Sequence, residues 1–154
     1  VVSLADLAED VVHSSRPKAE KAGVTLEMLV DRDLPPLHAD RERMRWVLHQ
    51  LVDNGIKFTA PGGHVRVSAK AASGIVEVEV ADTGIGIPSE RLEEIFEPFH
   101  QLDGSATRRY GGTGLGLALV RLILQAHGAE MQVGSEEGKG STFQFPLPMA
   151  EAQA

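Results

Sequence analysis

Two runs of alternating apolar and polar residues, His64–Lys70 and Ile75–Ala81, are separated by only Ala71–Gly74. A period of two is the pattern of a strand with one buried face, and so short a joint makes the pair an antiparallel hairpin. A hairpin alone is marginal in water, so other elements must cover its apolar face. Ser3 caps a first helix with Leu4, Leu7, Ala8, Val11 and Val12 on one side; Pro17 is expected to kink or end its first part, and Gly23 to stop it. Asp40 caps a second helix that runs to about Phe58, with Met44, Val47, Leu48, Leu51, Gly55 and Phe58 in one stripe. Ser89–Phe96 reads as a short helix ended by Pro98. Gly114–His127 reads as another, with Leu115, Leu119, Leu122, Ile123 and Ala126 inward and Gly128 as its stop. Val24–Val30, Met131–Gly134 and Ser141–Leu147 alternate and supply further strands. Gln101–Gly112 has no periodicity and reads as a long loop of the functional or mobile kind. The elements add up to a mixed sheet covered by a few helices.

The 154 residues suffice for one domain, placed at residues 1–150, with 151–154 as a frayed tail. A content of 42% apolar and 24% charged residues excludes a disordered chain. Lys and Arg number 15 against 22 Asp and Glu, a net charge of −7, which argues against sequence-independent binding to nucleic acid or an anionic membrane. There is no Cys, so disulfides, thiolate metal sites and thiol nucleophiles are excluded. The longest apolar stretch, Leu115–Leu124, is interrupted by Arg121 and is too short to span a bilayer, and no signal peptide is visible. The start at Val1 reads as excision from a longer protein.

Three segments carry chemistry. On the second helix Gln50, Asn54 and Lys57 share one flank, at spacings of four and three, at the border of the apolar stripe. An Asn carbonyl together with phosphate oxygens suits a hard cation such as Mg²⁺, with Lys57 facing phosphate; alone, the flank reads first as an ordinary solvated helix side. Asp82-Thr83-Gly84-Ile85-Gly86-Ile87-Pro88 follows a strand. Its glycines admit a bulky or flat ligand, Asp82 is placed to accept from an exocyclic amine, and Ile85 and Ile87 are placed to wall a ring; the plain alternative is a turn closed by Asp82 on its own backbone. Gly111-Gly112-Thr113-Gly114-Leu115-Gly116-Leu117 opens a helix, where free N–H groups and the helix dipole make an anion site, or else a hinge. Neither standard phosphate loop fits. Gly134–Ser141 has the wrong spacing for G-x-x-x-x-G-K-[ST] and two carboxylates, and Gly112, Gly114 and Gly116 run at spacing two after a loop instead of a strand.

In this order the segments resemble the catalytic and ATP-binding domain of bacterial sensor histidine kinases, a member of the Bergerat-fold ATPase and kinase superfamily. Gln50–Thr59 resembles the N box, Asp82–Pro88 the G1 box, Phe96-Glu97-Pro98-Phe99 the F box, Thr107–Leu117 the end of the ATP lid with the G2 box, and Gly138–Phe143 the final glycine box. The resemblance covers almost the whole chain. It implies an α+β two-layer sandwich, with a mixed, mostly antiparallel sheet covered on one face by about three helices.

It also implies roles. Asn54 would ligate Mg²⁺ and Lys57 contact phosphate, with Gln50 beside them. Phe58 would lie against adenine, and Asp82 would take its amino group in a pocket shaped by Gly84, Gly86 and Ile87 and completed by Thr142. The N–H groups of Gly114, Leu115, Gly116 and Leu117, preceded by Gly112 and Thr113, would hold phosphates, with Arg108 or Arg109 reaching the γ-phosphate. Phe96 and Phe99 would hinge the lid or meet a partner domain, or else serve as core aromatics.

Two positions depart from the pattern: Gln50 stands where the family usually has Asn, and Gly55 where it usually has Ala. Hydrolytic relatives place Glu at the position of Gln50 to activate water, and Gln cannot act as a general base, so transfer to another nucleophile is expected over hydrolysis.

The family's acceptor histidine lies in a separate helical dimerisation domain, in a motif such as H-E-x-x-[TN]-P. None of His13, His38, His49, His64, His100 and His127 has that context. The implied partners are therefore that helical domain and a response regulator. The implied setting is a cytoplasmic, monomeric domain of a parent that is either membrane-anchored or soluble. An anti-sigma-factor-type serine kinase and a non-catalytic nucleotide sensor of the same fold are the rival readings.

Overall fold

The computed structural model of the chain describes residues 2–86, 116–136 and 138–150. The expected helix Ser89–Phe96, the loop 101–112, the F box and the tail 151–154 lie outside the described residues.

α1 spans Leu4–Ala22. The Ser3 hydroxyl accepts from the Asp6 N–H at 3.4 Å, and Gly23, at φ 72°, donates its N–H to the last carbonyls, so both expected caps are present. Pro17 does not end the helix, which continues to the expected stop at Gly23. It deprives only the His13 carbonyl of a partner, on an exposed residue where water can replace it. The turn beyond is fixed from outside, by buried Ala19 and by an ion pair from Lys18 to Asp53.

β1 (Thr25–Leu29) pairs in parallel with β2 (His64–Ala72), and β2 returns through Ser73 and Gly74 into β3 (Ile75–Asp82). β5 (Gly140–Pro148) lies antiparallel between β3 and β4 (Gln132–Glu136), giving the order β1-β2-β3-β5-β4. Among the described residues only the β1–β2 pairing is parallel, so the sheet is mixed and mostly antiparallel, as expected.

One face of the sheet is apolar. Val65, Val67, Val76, Val78, Val80, Phe143, Phe145 and Leu147 are all buried, and their chain neighbours are more exposed. α2 (Arg41–Lys57) packs on β2 and β3 and contacts both α1 and α3 (Gly116–Ala126). The result is a two-layer sandwich with α2 as the central helix. His127 ties the layer together: its Nε2 accepts from the Asp40 N–H at 3.1 Å, and its Nδ1 donates to the Ile123 carbonyl at 2.9 Å, which requires the Nδ1-protonated tautomer.

Of the inward face expected for the last helix, Ile123 packs against the core, but Leu119, Leu122 and Ala126 are exposed. Ala118, Val120 and Leu124 are buried, while Leu119 and Leu122 are 41% and 60% exposed. Leu117 through Leu124 is apolar at every position but Arg121, so periodicity alone does not phase the helix.

Candidate functional site

Asp82 ends β3 opposite Ser141, at the rim of the sheet beside α2. Its Oδ1 accepts from the Gly84 N–H at 2.8 Å and from the Ser141 N–H at 3.3 Å. The local turn expected as the plain alternative is thus present, and it occupies one carboxylate oxygen only. Among the described residues Oδ2 has no hydrogen bond. Burial pushes the Asp82 carboxyl above the usual carboxylate range, and the two N–H donors offset this only in part. A part-buried carboxylate with one oxygen fixed and one spare is an acceptor waiting for a donor.

The turn after Asp82 is pinned on three sides. Thr83 exchanges hydrogen bonds with the His64 backbone, the Ile85 N–H donates to the Phe58 carbonyl at 3.1 Å, and the Gly138 N–H donates to the Ile85 carbonyl at 2.7 Å. A Cβ on Gly84 would lie 2.4 Å from the Phe58 carbonyl oxygen, and one on Gly140 would lie 2.0 Å from that of Asp82. The backbone approaches itself here more closely than any side chain allows.

Gly55 has a similar reason. A Cβ there would meet both Val65 methyls at 3.2 Å, and it would stand 3.6 Å from the Asp82 Cβ. α2 presses on β2 at the point where Asp82 emerges, so the Val65 methyls would have to shift slightly for Ala, while Gly costs about 1 kcal/mol in helix propensity.

The α2 flank divides into two parts. The half-buried Asn54 side chain makes no hydrogen bond among the described residues, so its amide is available. Gln50 reaches across to α3: a Cβ on Gly116 would lie 2.7 Å from its Oε1. Lys57 pairs with Asp53 at 3.2 Å. Burial would raise the Asp53 carboxyl, but Lys18 and Lys57 together hold it below the ordinary range.

The structure therefore brings Gln50 to Gly116, and Asp82 to Gly84, Gly55 and the Phe58 backbone, all along one helix. It does not bring Thr142 to Asp82. Thr142 pairs with Ala81, and strand alternation puts both on the opposite sheet face from Asp82. Ser141 takes that place, with its hydroxyl 2.9 Å from that of Ser135. Ser141 and Asp53 were missed in the sequence, although Ser141 directly follows the final glycine pair. Gly86, at φ 73°, and Leu117 lie at the described borders of their segments. Ile87, Arg108, Arg109, Gly112, Thr113, Gly114 and Leu115 lie outside the described residues.

Comparison with known proteins agrees with this geometry. Residues 39–151 match the family described as histidine kinase-, DNA gyrase B-, and HSP90-like ATPase. The autoinducer 2 sensor kinase/phosphatase LuxQ of Vibrio parahaemolyticus is 38% identical over 98% of the chain, which covers 18% of LuxQ. The chain spans about a fifth of the length of the curated relatives it matches. Full-length ShkA in complex with AMPPNP superposes with a TM-score of 0.87 at 36% identity, over 99% of this chain and 31% of ShkA.

The catalytic domain of histidine kinase ThkA superposes at 0.82 with 30% identity, over 96% of this chain and 93% of that domain. ThkA in complex with the response regulator protein TrrA gives 0.78 and 28%, over 96% of this chain and 41% of that one. Match, coverage and fold together identify the chain as a catalytic ATP-binding domain of the sensor histidine kinase family.

Proposed function

We propose that this chain binds ATP with Mg²⁺ and presents the γ-phosphoryl group to a histidine on a separate helical dimerisation domain, from which a response regulator aspartate receives it. The observation that carries the reading is the spare Asp82 oxygen beside Gly55, on the same helix that offers the Asn54 amide and touches Gly116 through Gln50. An adenine amine held by Asp82 would leave the phosphates directed along α2 toward Asn54, Lys57 and the start of α3. There the N–H groups of Gly116 and Leu117, at a helix N-terminus, favour anions.

No group of three His, Cys, Asp or Glu among the described residues makes a protein cage for a metal. A cation that keeps waters and binds mainly through phosphate oxygens fits one Asn54 carbonyl. Bound Mg²⁺ would neutralise charge on the phosphates, while Asn54, Lys57 and the α3 terminus orient them. Gln50 has no basic group with which to deprotonate water, which disfavours hydrolysis.

Response regulator binding by ThkA supports the same partner class here, and the exposed Leu119 and Leu122 give α3 an apolar surface for the helical domain. A need for ATP supports a cytoplasmic setting for the domain. Among the described residues no helix is long and apolar enough to cross a membrane.

Titration with nucleotide, with and without Mg²⁺, is expected to show tight binding only with the metal. Asn54→Ala is expected to lose several-fold or more of the Mg²⁺-dependent part. With the parent's helical domain supplied separately, labelled phosphate is expected on it in acid-labile form. Acid-stable label would instead indicate a serine kinase, and no transfer a nucleotide sensor.

A further inference from the structure

Asp53 projects from α2 between two cations. Its Oδ1 takes the Lys18 ammonium of α1, and its Oδ2 takes the Lys57 ammonium at 3.2 Å. The carboxylate is 12% exposed, Lys57 27% and Lys18 51%. On the helical wheel Lys57 lies roughly 40° from Asp53 and about 60° from Asn54, so it stands between the α1 side of the helix and the flank that carries Asn54. Lys57 thus has two claimants: Asp53 where it now sits, and a phosphate on the Asn54 side. If it turned to the phosphate with no other cation present, a largely buried carboxylate would be left uncompensated, which is costly.

We propose that Lys18 is a positioning residue for ATP: by holding Asp53, it releases Lys57 to the phosphates. This rests on the reading that Lys57 meets phosphate. Lys18 itself touches no nucleotide. It acts through the shared carboxylate, because two lysines on one aspartate leave one positive charge over, and the more exposed partner on α1 can stay behind. In its absence Lys57 becomes the sole counter-ion of Asp53 and ATP must compete for it. Asp53→Asn removes the claimant and makes Lys18 irrelevant.

The test is calorimetric titration of the chain with Mg-ATP and, separately, with adenosine, which has no phosphate for Lys57 to reach. Lys18→Met is expected to weaken Mg-ATP binding about 3- to 10-fold and leave adenosine binding unchanged. Adding Asp53→Asn is expected to restore Mg-ATP affinity to that of Asp53→Asn alone, since coupled residues are not additive. In a Lys57→Met background, Lys18→Met is expected to have no further effect. Unchanged Mg-ATP affinity in Lys18→Met overturns the proposal and leaves the ATP reading standing. An equal loss for adenosine also overturns it, since that marks a general structural effect. Absence of Mg-ATP binding by the unaltered chain overturns both.

Discussion

Asp82→Asn is expected to weaken nucleotide binding about 10- to 100-fold, the loss of a hydrogen bond to a charged group, without weakening the fold. The amide keeps an oxygen for the Gly84 and Ser141 N–H groups, now at 2.8 and 3.3 Å, and presents an NH₂ where the amine of adenine needs an acceptor. Stability should move the other way. Burial raises the Asp82 carboxyl above its ordinary range, so the native state binds that proton more tightly than the unfolded chain does. Unfolding free energy therefore falls as pH rises from the ordinary value through the raised one, and the penalty is fully present above the raised value. Removing the charge is expected to leave Tm at pH 7 equal to or above that of the unaltered chain, with the gain fading in acid. Adenosine, with no phosphate to titrate, should bind more weakly as pH falls through the raised Asp82 value. A lowered Tm for Asp82→Asn would show that the carboxylate stabilises the turn.

Gly140→Ala is expected to have the largest structural effect. At φ 126° an L side chain is strained, and its Cβ would lie 2.0 Å from the Asp82 carbonyl oxygen and 3.0 Å from the Thr83 Cα. Strain of about 1–3 kcal/mol and overpacking of about 1–3 kcal/mol add to a loss of roughly 2–6 kcal/mol. To relieve it, β5 must move from β3 at the register pair Ser141–Asp82, which also removes one donor from the Asp82 carboxylate. Urea denaturation measures the first effect and nucleotide titration the second. Gly138→Ala is the control: φ is 84°, but nothing stands within 4 Å of its Cβ, so only the left-handed strain of about 1–2 kcal/mol applies. Equal losses for the two variants would remove the argument from close approach.

Much of the fold was legible because each signal was local. The Ser3 and Asp40 caps, the Gly23 stop and the β2–β3 hairpin depend on side chains and periods within a few residues, and all are present. The box motifs were legible as short runs of fixed residue types, although the Asp82 turn itself is held by hydrogen bonds with His64, Phe58 and Gly138. Pro17 left open whether the helix ends there, and tertiary anchors at Ala19 and Lys18 outweigh its local cost. Thr142 misled because a motif names a neighbourhood and the strand register decides which of two adjacent residues faces Asp82.

By itself, then, the sequence determined the elements, their order and the chemical types of the site, since hydrophobic period, caps and glycine runs act over one or two turns of chain. Tertiary structure alone decided which face of the largely apolar α3 is buried, that Gly140 must pass the Asp82 carbonyl, and that Lys57 shares a carboxylate with Lys18. Each of these depends on groups far apart in the chain, whose packing and charge compensation exist only after the layers have closed.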